Sequence, residues 1–393
     1  MNYSTNDAKM KKSLITIALL IIISTTFYTC KKADEIVDPG PQFSMDKFEQ
    51  NIIDGINAGG DSPVAWGYTI SQNGTLERSE AFGDARTADD GQMDFTVNKE
   101  INVASISKFY TAIAAMQLLD ANNLTIDSLI GRWLPQSWSR GPGVNNLTFK
   151  DLLKHRSGLE SINSNFDSTL SYEGLRSCIQ TGVVNPKDRQ YLNVNFALFR
   201  VLIPSLWSAL PGSPSIDIES DGNTQFMYLL YLQENIFDRL DLRLVGCFPE
   251  DRQTSTLYYN VNDPAGNVSG TYYNDWNPIC GGGGYFMTLM EMAKVNAYFE
   301  HTEVLVTEEQ REVIKNHRLG LDLGFSSLET YGKYYGKNGS IVNGIGQGVY
   351  GQIAIFPYNG IDCVVIMNTQ GVTLEGTDFI GEMIYRAYND AWE

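Results

Sequence analysis

Three short groups of residues have types and spacing suited to acyl transfer. In "NVASISKFYTAIAAMQLLDANNLT", Ser105 stands three residues before Lys108 at the start of a helical pattern, so the two share a face one turn apart. A serine hydroxyl is a poor nucleophile until a base takes its proton. A lysine is such a base when burial or nearby positive charge keeps its amine neutral. A helix start adds backbone N–H groups and a positive dipole end where negative charge develops. Taken alone, the pair fits an N-cap serine and a surface lysine better than a catalytic dyad. The second group is Tyr191-Leu192-Asn193 in "QYLNVNFALFRVL" and the third is Lys337-Asn338-Gly339-Ser340 in "YYGKNGSIV". Each also has a plain structural reading, as a packing tyrosine or a solvent-facing lysine.

S-x-x-K, then Y-x-N, then a K-[T/S]-G-like segment, in this order, resemble the serine β-lactamase and penicillin-binding protein family. The tyrosine of the second motif is similar to that of class C β-lactamases, their carboxypeptidase relatives and related esterases. The segments "INVASISKFYTAIAAMQLLDANNLTIDSLIGRWLP", "TFKDLLKHRSGL" and "GGGGYFMTLMEMAKVNAYF" resemble the family too. The resemblance runs from about residue 46 to the C-terminus. It implies that Ser105 attacks a carbonyl and is acylated, and that Lys108 helps take its proton. Tyr191 would pass a proton to the leaving group and activate water. Asn193 would bond to the substrate or to Lys108. Lys337 would supply positive charge for Tyr191 and for a substrate carboxylate, with Asn338, Gly339 and Ser340 binding substrate. The backbone N–H groups of Ser105 and Ser340 would form the oxyanion hole.

The sequence departs from the family at Asn338, where Thr or Ser is usual. That departure bears on β-lactam turnover more than on catalysis, while retained Lys337 favours a carboxylate-bearing substrate. The expected substrate is a small peptide, amide or ester, as for a D-alanyl-D-alanine carboxypeptidase, a D-peptidase or an esterase. No cofactor or metal is implied. The reading from another class is a non-catalytic surface lipoprotein that holds peptide or envelope polymer in the same cleft.

The elements that must position these residues fall in a clear order. "SMDKFEQNIIDGINAGG" carries Phe48, Ile52, Ile53 and Ile56 at helical spacing. "VAWGYTISQNGTLERSEAFGDA" gives two strand-like runs around Asn73-Gly74, a hairpin signal. The helix bearing Ser105 should place Ile106, Phe109, Ile113 and Met116 on one core-facing side. From about residue 125 to 300 the chain reads as helical or irregular, and after 330 β-type runs return before a closing amphipathic helix in "DFIGEMIYRAYNDAW". This predicts an α+β fold, an antiparallel sheet flanked by helices plus a mostly helical lobe, and the family resemblance implies that it is of the β-lactamase/transpeptidase-like kind. The site should lie between them.

Apolar residues at 43% and charged residues at 19% support a large core. The net charge of −17 disfavours nucleic acid as a partner. Residues 1–29, with Lys9, Lys11 and Lys12 before an uncharged run from Ser13 to Thr29, fit a secretory signal. They resemble a lipoprotein signal with Cys30 as the lipidated residue, though Phe27 and Thr29 depart from its usual pattern; the other reading is an uncleaved membrane anchor. Residues 30–45, polar with two prolines, read as a tether, and 46–393 as the hydrolase domain. The protein is thus expected in the cell envelope, held at the outer membrane by its lipid anchor. Oligomeric state and the pairing of Cys178, Cys247, Cys280 and Cys363 are left open, with Cys363 in "IDCVVIM" expected as a buried thiol.

Several other signals carry no function. "GQGVYG", residues 346 to 351, precedes a strand instead of following one, so it reads as a turn and not a dinucleotide fingerprint. "GGGG" at 281 to 284 lacks the Lys-Ser/Thr of a P-loop and reads as close packing or a cleft wall. His155, His301 and His317 lie in separate contexts without metal spacing, and His155 reads as structural. No G-x-S-x-G occurs. Tyr272, Tyr273 and Trp276 read as packing residues, with gorge lining as the alternative.

Overall fold

The computed structural model describes residues 40–159, 170–261 and 268–393. The segment read as signal, most of the tether and Cys30 lie outside the described residues. By contacts the chain forms two units. One is Ser44–Trp392; the other is Met1–Phe43 with Glu393. All that follows concerns the first. Among the described residues, no helix is long and apolar enough to cross a membrane.

The first helix, α1 (Met45–Asn57), starts where the Ser44 side chain accepts the N–H of Lys47, and it buries Phe48, Ile52 and Ile56. The hairpin follows as expected. β1 (Ala65–Gln72) and β2 (Thr75–Arg86) pair antiparallel around Asn73 and Gly74, both at positive φ. After the short strands β3 (Met93–Asp94) and β4 (Ile101–Asn102) comes the Ser105 segment: a 3₁₀ turn, Ala104–Ile106, leading into α2 (Ser107–Ala121). Here the expectation of one apolar face is too narrow. Residues 107–116 are buried on every side, polar Ser107, Lys108 and Thr111 included, because the helix runs through the middle of the core.

The helical lobe continues with α3 (Phe149–Leu153), α4 (Tyr172–Thr181), α5 (Val194–Ala197), α6 (Phe199–Ser208) and α7 (Asp221–Leu232). Short strands β5 (Tyr259–Asn260) and β6 (Phe286–Met287) precede α8 (Leu289–His301) and α9 (Glu308–His317). The chain then returns to the sheet as β7 (Tyr335–Val342), β8 (Gly348–Phe356), β9 (Ile361–Met367) and β10 (Thr369–Gln370), and ends in α10 (Ile380–Asn389).

The main sheet runs β10-β5-β8-β9-β1-β2-β3, with β7 paired to β8. β1, early in the chain, therefore meets β9, late in it, with Trp66 opposite Met367 and Ile70 opposite Cys363. β9 is buried along its whole length and β1 nearly so, since α8 packs against both, and α1 and α10 pack against each other with α10 on β8. Cys363 is the buried free thiol expected, Cys178 is also buried, and Cys247 pairs with Cys280. "GQGVYG" ends a turn at Gly346 but runs as strand from Gly348 to Gly351, the start of β8, so the turn reading holds only for its first residues. Tyr273 stacks on Tyr258 at 4.2 Å and meets Trp276 edge-on, so this aromatic group is packing.

Candidate active site

The turn that presents Ser105 is held from several directions. Ala104 sits at φ 50°, in the left-handed region that costs a non-glycine residue about 1 kcal/mol. Its N–H is accepted by Asn102 Oδ1 at 2.8 Å, and its carbonyl accepts the Ser107 hydroxyl at 2.7 Å. Ser107 Oγ in turn accepts the Tyr285 N–H at 3.1 Å. Neither Asn102 nor Ser107 was singled out from the sequence; both are positioning residues for the turn.

Ser105 Oγ accepts hydrogen bonds from Lys108 Nζ at 3.0 Å and from the Tyr191 hydroxyl at 2.8 Å. Lys108 Nζ also donates to Asn193 Oδ1 at 2.9 Å and to the carbonyl of Gly282. As an ammonium Lys108 donates to Ser105, Asn193 and Gly282 together; once neutral it keeps its two N–H bonds to Asn193 and Gly282 and turns its lone pair to the Ser105 proton. Lys108 is fully buried, and that desolvation lowers its pKa to about 8, helped by the charge of Lys337 and opposed by Tyr191. Burial by itself would raise the Tyr191 phenol. The positive charges of Lys108 and Lys337 outweigh burial and bring it below its ordinary value. The Tyr191 ring keeps 45% of its surface accessible, yet its hydroxyl points inward to Ser105, so the exposed part is cleft wall. Both ammonium groups lie 5.1 Å from its centroid.

His155 is structural, and its place is behind Tyr191. The two rings stack at 4.4 Å. Burial, with Lys108 and Lys337 adding to it, holds His155 well below its ordinary pKa, so it is neutral and Nδ1 accepts the Leu192 N–H at 3.2 Å. The glycine run belongs to the site as close packing. Gly281 and Gly282 present carbonyls to Thr111 and Lys108 of the buried helix.

Across the cleft, β7 pairs with β8 and packs against the Ser105 turn. A Cβ on Gly339 would lie 2.5 Å from the Val103 carbonyl oxygen, so only glycine admits this approach. It sets the backbone of Ser340 beside Ser105, and Ser340 Oγ accepts from Gln370 at 2.9 Å. Lys337 is 3% exposed. Its ammonium is already paired with Asp322 Oδ1 at 2.5 Å, a contact that raises its pKa against the opposing effect of burial. Asp322 Oδ2 accepts the Asn338 N–H, and the Asn338 amide donates to the Gly351 carbonyl at 3.2 Å. Asp322 carries no motif signal. It gives Lys337 an internal carboxylate partner that the motifs did not show.

Ser105, Tyr191, Asp322, Lys337, Asn338 and Ser340 line a cavity of about 350 Å³. A larger one, about 780 Å³, lies among Lys99, Glu100, Arg243 and Asp251 and contains none of these groups, so chemistry and not size selects the site. Among the described residues, no cluster of His, Cys, Asp and Glu is arranged to hold a metal ion.

A largely antiparallel sheet joined to a helical lobe, with the Ser–Lys–Tyr cluster in the cleft, is the β-lactamase/transpeptidase-like fold. The chain belongs to the beta-lactamase family, whose model matches residues 68–379. Its structure is similar to that of an octameric penicillin-binding protein homologue from Pyrococcus abyssi (TM-score 0.64, 18% identity, 87% of this chain and 76% of that one). It is also similar to a class C β-lactamase from Rhodobacter sphaeroides (0.62, 15%, 88% and 98%). A third similar structure is a D-amino acid amidase from Ochrobactrum anthropi (0.61, 18%, 88% and 98%).

Proposed function

We propose that the protein is an exported serine hydrolase that cleaves an ester, amide or small peptide through an acyl-Ser105 intermediate. The observation that carries this is the double hydrogen bond to Ser105 Oγ from Lys108 and Tyr191, the lysine buried and its pKa depressed. Ser105 Oγ attacks the substrate carbonyl as its proton passes to neutral Lys108. The tetrahedral oxyanion is met by the N–H groups of Ser105 and Ser340. Collapse breaks the bond to the leaving group, which takes a proton delivered through Tyr191. Water, deprotonated by the same Lys108–Tyr191 pair, then attacks the acyl-serine, releasing the acid and returning the proton to Ser105. Lys337 keeps Tyr191 acidic enough for this relay. A D-amino acid amidase among the similar structures supports amide substrates, D-peptides included, beside esters. The N-terminal run ending at Cys30 supports export with lipid anchoring at the envelope.

The test is hydrolysis of a panel of aryl esters and D-amino acid amides by residues 46–393, wild type beside Ser105→Ala, with intact mass after a fluorophosphonate. Turnover and one adduct in the wild type alone are expected. Equal turnover by Ser105→Ala, or no adduct and no turnover in either, refutes the reading and leaves a binding protein.

A further inference from the structure

Three donors on β7 face the cleft near Ser105: the Lys337 ammonium, the Asn338 N–H and the Asn338 amide. In a site built for an acidic substrate they would be open to solvent. Here Asp322 Oδ1 and Oδ2 take the first two, and the Gly351 carbonyl takes the third. Asp322 is not a loose loop residue. Its N–H bonds the Gly336 carbonyl at 2.9 Å, and its own carbonyl accepts from Arg318 at 3.2 Å, so its backbone is anchored to β7 and to the end of α9. Its side chain is still 31% exposed, and it lines the cavity. The same cavity is also lined by apolar Leu323, Phe325 and Phe379, at 57%, 36% and 58% exposure. Exposed apolar side chains gathered at the mouth of a polar catalytic cleft point to an apolar ligand group.

We infer that Asp322 is a specificity-determining residue that restricts this site to substrates without a carboxylate within reach of Lys337: neutral esters or amides bearing an apolar group. The inference deepens the hydrolase reading and rests on it. An incoming carboxylate finds the Lys337 ammonium already bonded to Asp322 and must sit within a few ångströms of that second carboxylate in a partly desolvated cleft. Discrimination of ~10-fold or more against it follows.

The experiment compares substrates that differ only in that charge. kcat/KM is measured for p-nitrophenyl hexanoate against the mono-p-nitrophenyl ester of adipic acid. It is also measured for phenyl acetate against 3-acetoxybenzoate, which moves the carboxylate to the leaving group. Kd is measured for phenylboronic acid against 3-carboxyphenylboronic acid. The wild type is expected to prefer the neutral member by ~10-fold or more in at least one ester pair and in the boronate pair, less so at high salt. It should form no adduct with benzylpenicillin, which carries a carboxylate. Asp322→Asn, close to isosteric, is expected to narrow those ratios by ~10-fold, through KM of the acidic ester, each ratio being taken within the variant so that any change in its kcat cancels. Wild-type ratios near one, rapid acylation by benzylpenicillin, or unchanged ratios in a folded Asp322→Asn overturn the inference and leave the hydrolase standing. If Asp322→Asn does not fold, the wild-type ratios and their salt dependence decide alone. Binding of neither boronate with turnover of neither ester overturns the hydrolase reading, and this inference with it.

Discussion

Replacing Lys337 by methionine should move the alkaline-rising limb of the activity profile upward, and its size follows from the site. Lys108 must be neutral to accept the Ser105 proton, and burial sets its pKa at about 8. From the ordinary lysine value of 10.5, that shift multiplies the neutral amine at pH 7 by roughly 300-fold. About one-tenth is then neutral at pH 7, half at pH 8 and nine-tenths at pH 9. Wild-type kcat/KM for a neutral ester should therefore rise nearly tenfold from pH 7 to 9. The Lys337 charge lowers both Lys108 and Tyr191. Lys337→Met removes that charge and leaves Asp322 beside them, which favours protonated Lys108. A shift of about one unit is expected, equal to about 1.4 kcal/mol and a tenfold loss at pH 7 that closes above pH 10. Lys337→Met combined with Asp322→Asn removes both charges and should return the limb toward the wild-type position. The assay is kcat/KM from pH 5.5 to 10.5 at constant ionic strength, with circular dichroism to confirm folding. A flat profile, a limb with its midpoint below pH 6, or a limb unmoved by Lys337→Met would refute Lys108 as the base.

Gly339→Val places a side chain against the Val103 carbonyl and Ile106, so β7 must retreat from the serine turn. Thermal unfolding should show a loss of about 1–3 kcal/mol, and kcat a loss of about 100-fold as Ser340 moves away; near-normal kcat would remove β7 from the oxyanion site. His155→Ala removes the ring behind Tyr191 and the acceptor for the Leu192 N–H. Loss of about 1 kcal/mol of orientation predicts ~5-fold lower kcat with little change in KM, partly restored in His155→Phe, which keeps the stack. His301 and Asp362 form a 2.8 Å pair between α8 and β9. The bond to Asp362 raises His301 despite burial, and burial raises Asp362 to about 6 despite His301. Both groups bind protons more tightly when folded. The pair's contribution is present below about pH 4 and is lost as pH rises through 6 and past the raised His301 value. Wild-type Tm should fall over that window relative to His301→Phe with Asp362→Leu; parallel curves would show that the pair is not linked to folding.

Much of this molecule was legible locally. The Asn73-Gly74 hairpin, α1 with its Phe48, Ile52 and Ile56 stripe, and the return of strands after residue 330 follow from turn chemistry and periodicity, which act over a few residues. The residue types of Ser105, Lys108, Tyr191, Asn193 and Lys337, in their order, named the chemistry, because each reactive group is written into its side chain. What the sequence could not carry was the company those groups keep. The apolar periodicity of α2 pointed to one buried face; tertiary packing buried every face and so depressed the Lys108 pKa. The Gly282 carbonyl that orients Lys108 is a backbone group and leaves no residue signature. His155 behind Tyr191 and the Cys247–Cys280 pairing join segments that only folding brings together. Asp322 makes the point most sharply. It lies 15 residues before Lys337 in a stretch without a motif. The sequence therefore determined that a cationic strand residue faces the serine, while tertiary structure decided whether that charge is open to substrate. A charge is a property of one residue; its neutralisation is a property of the distance between two.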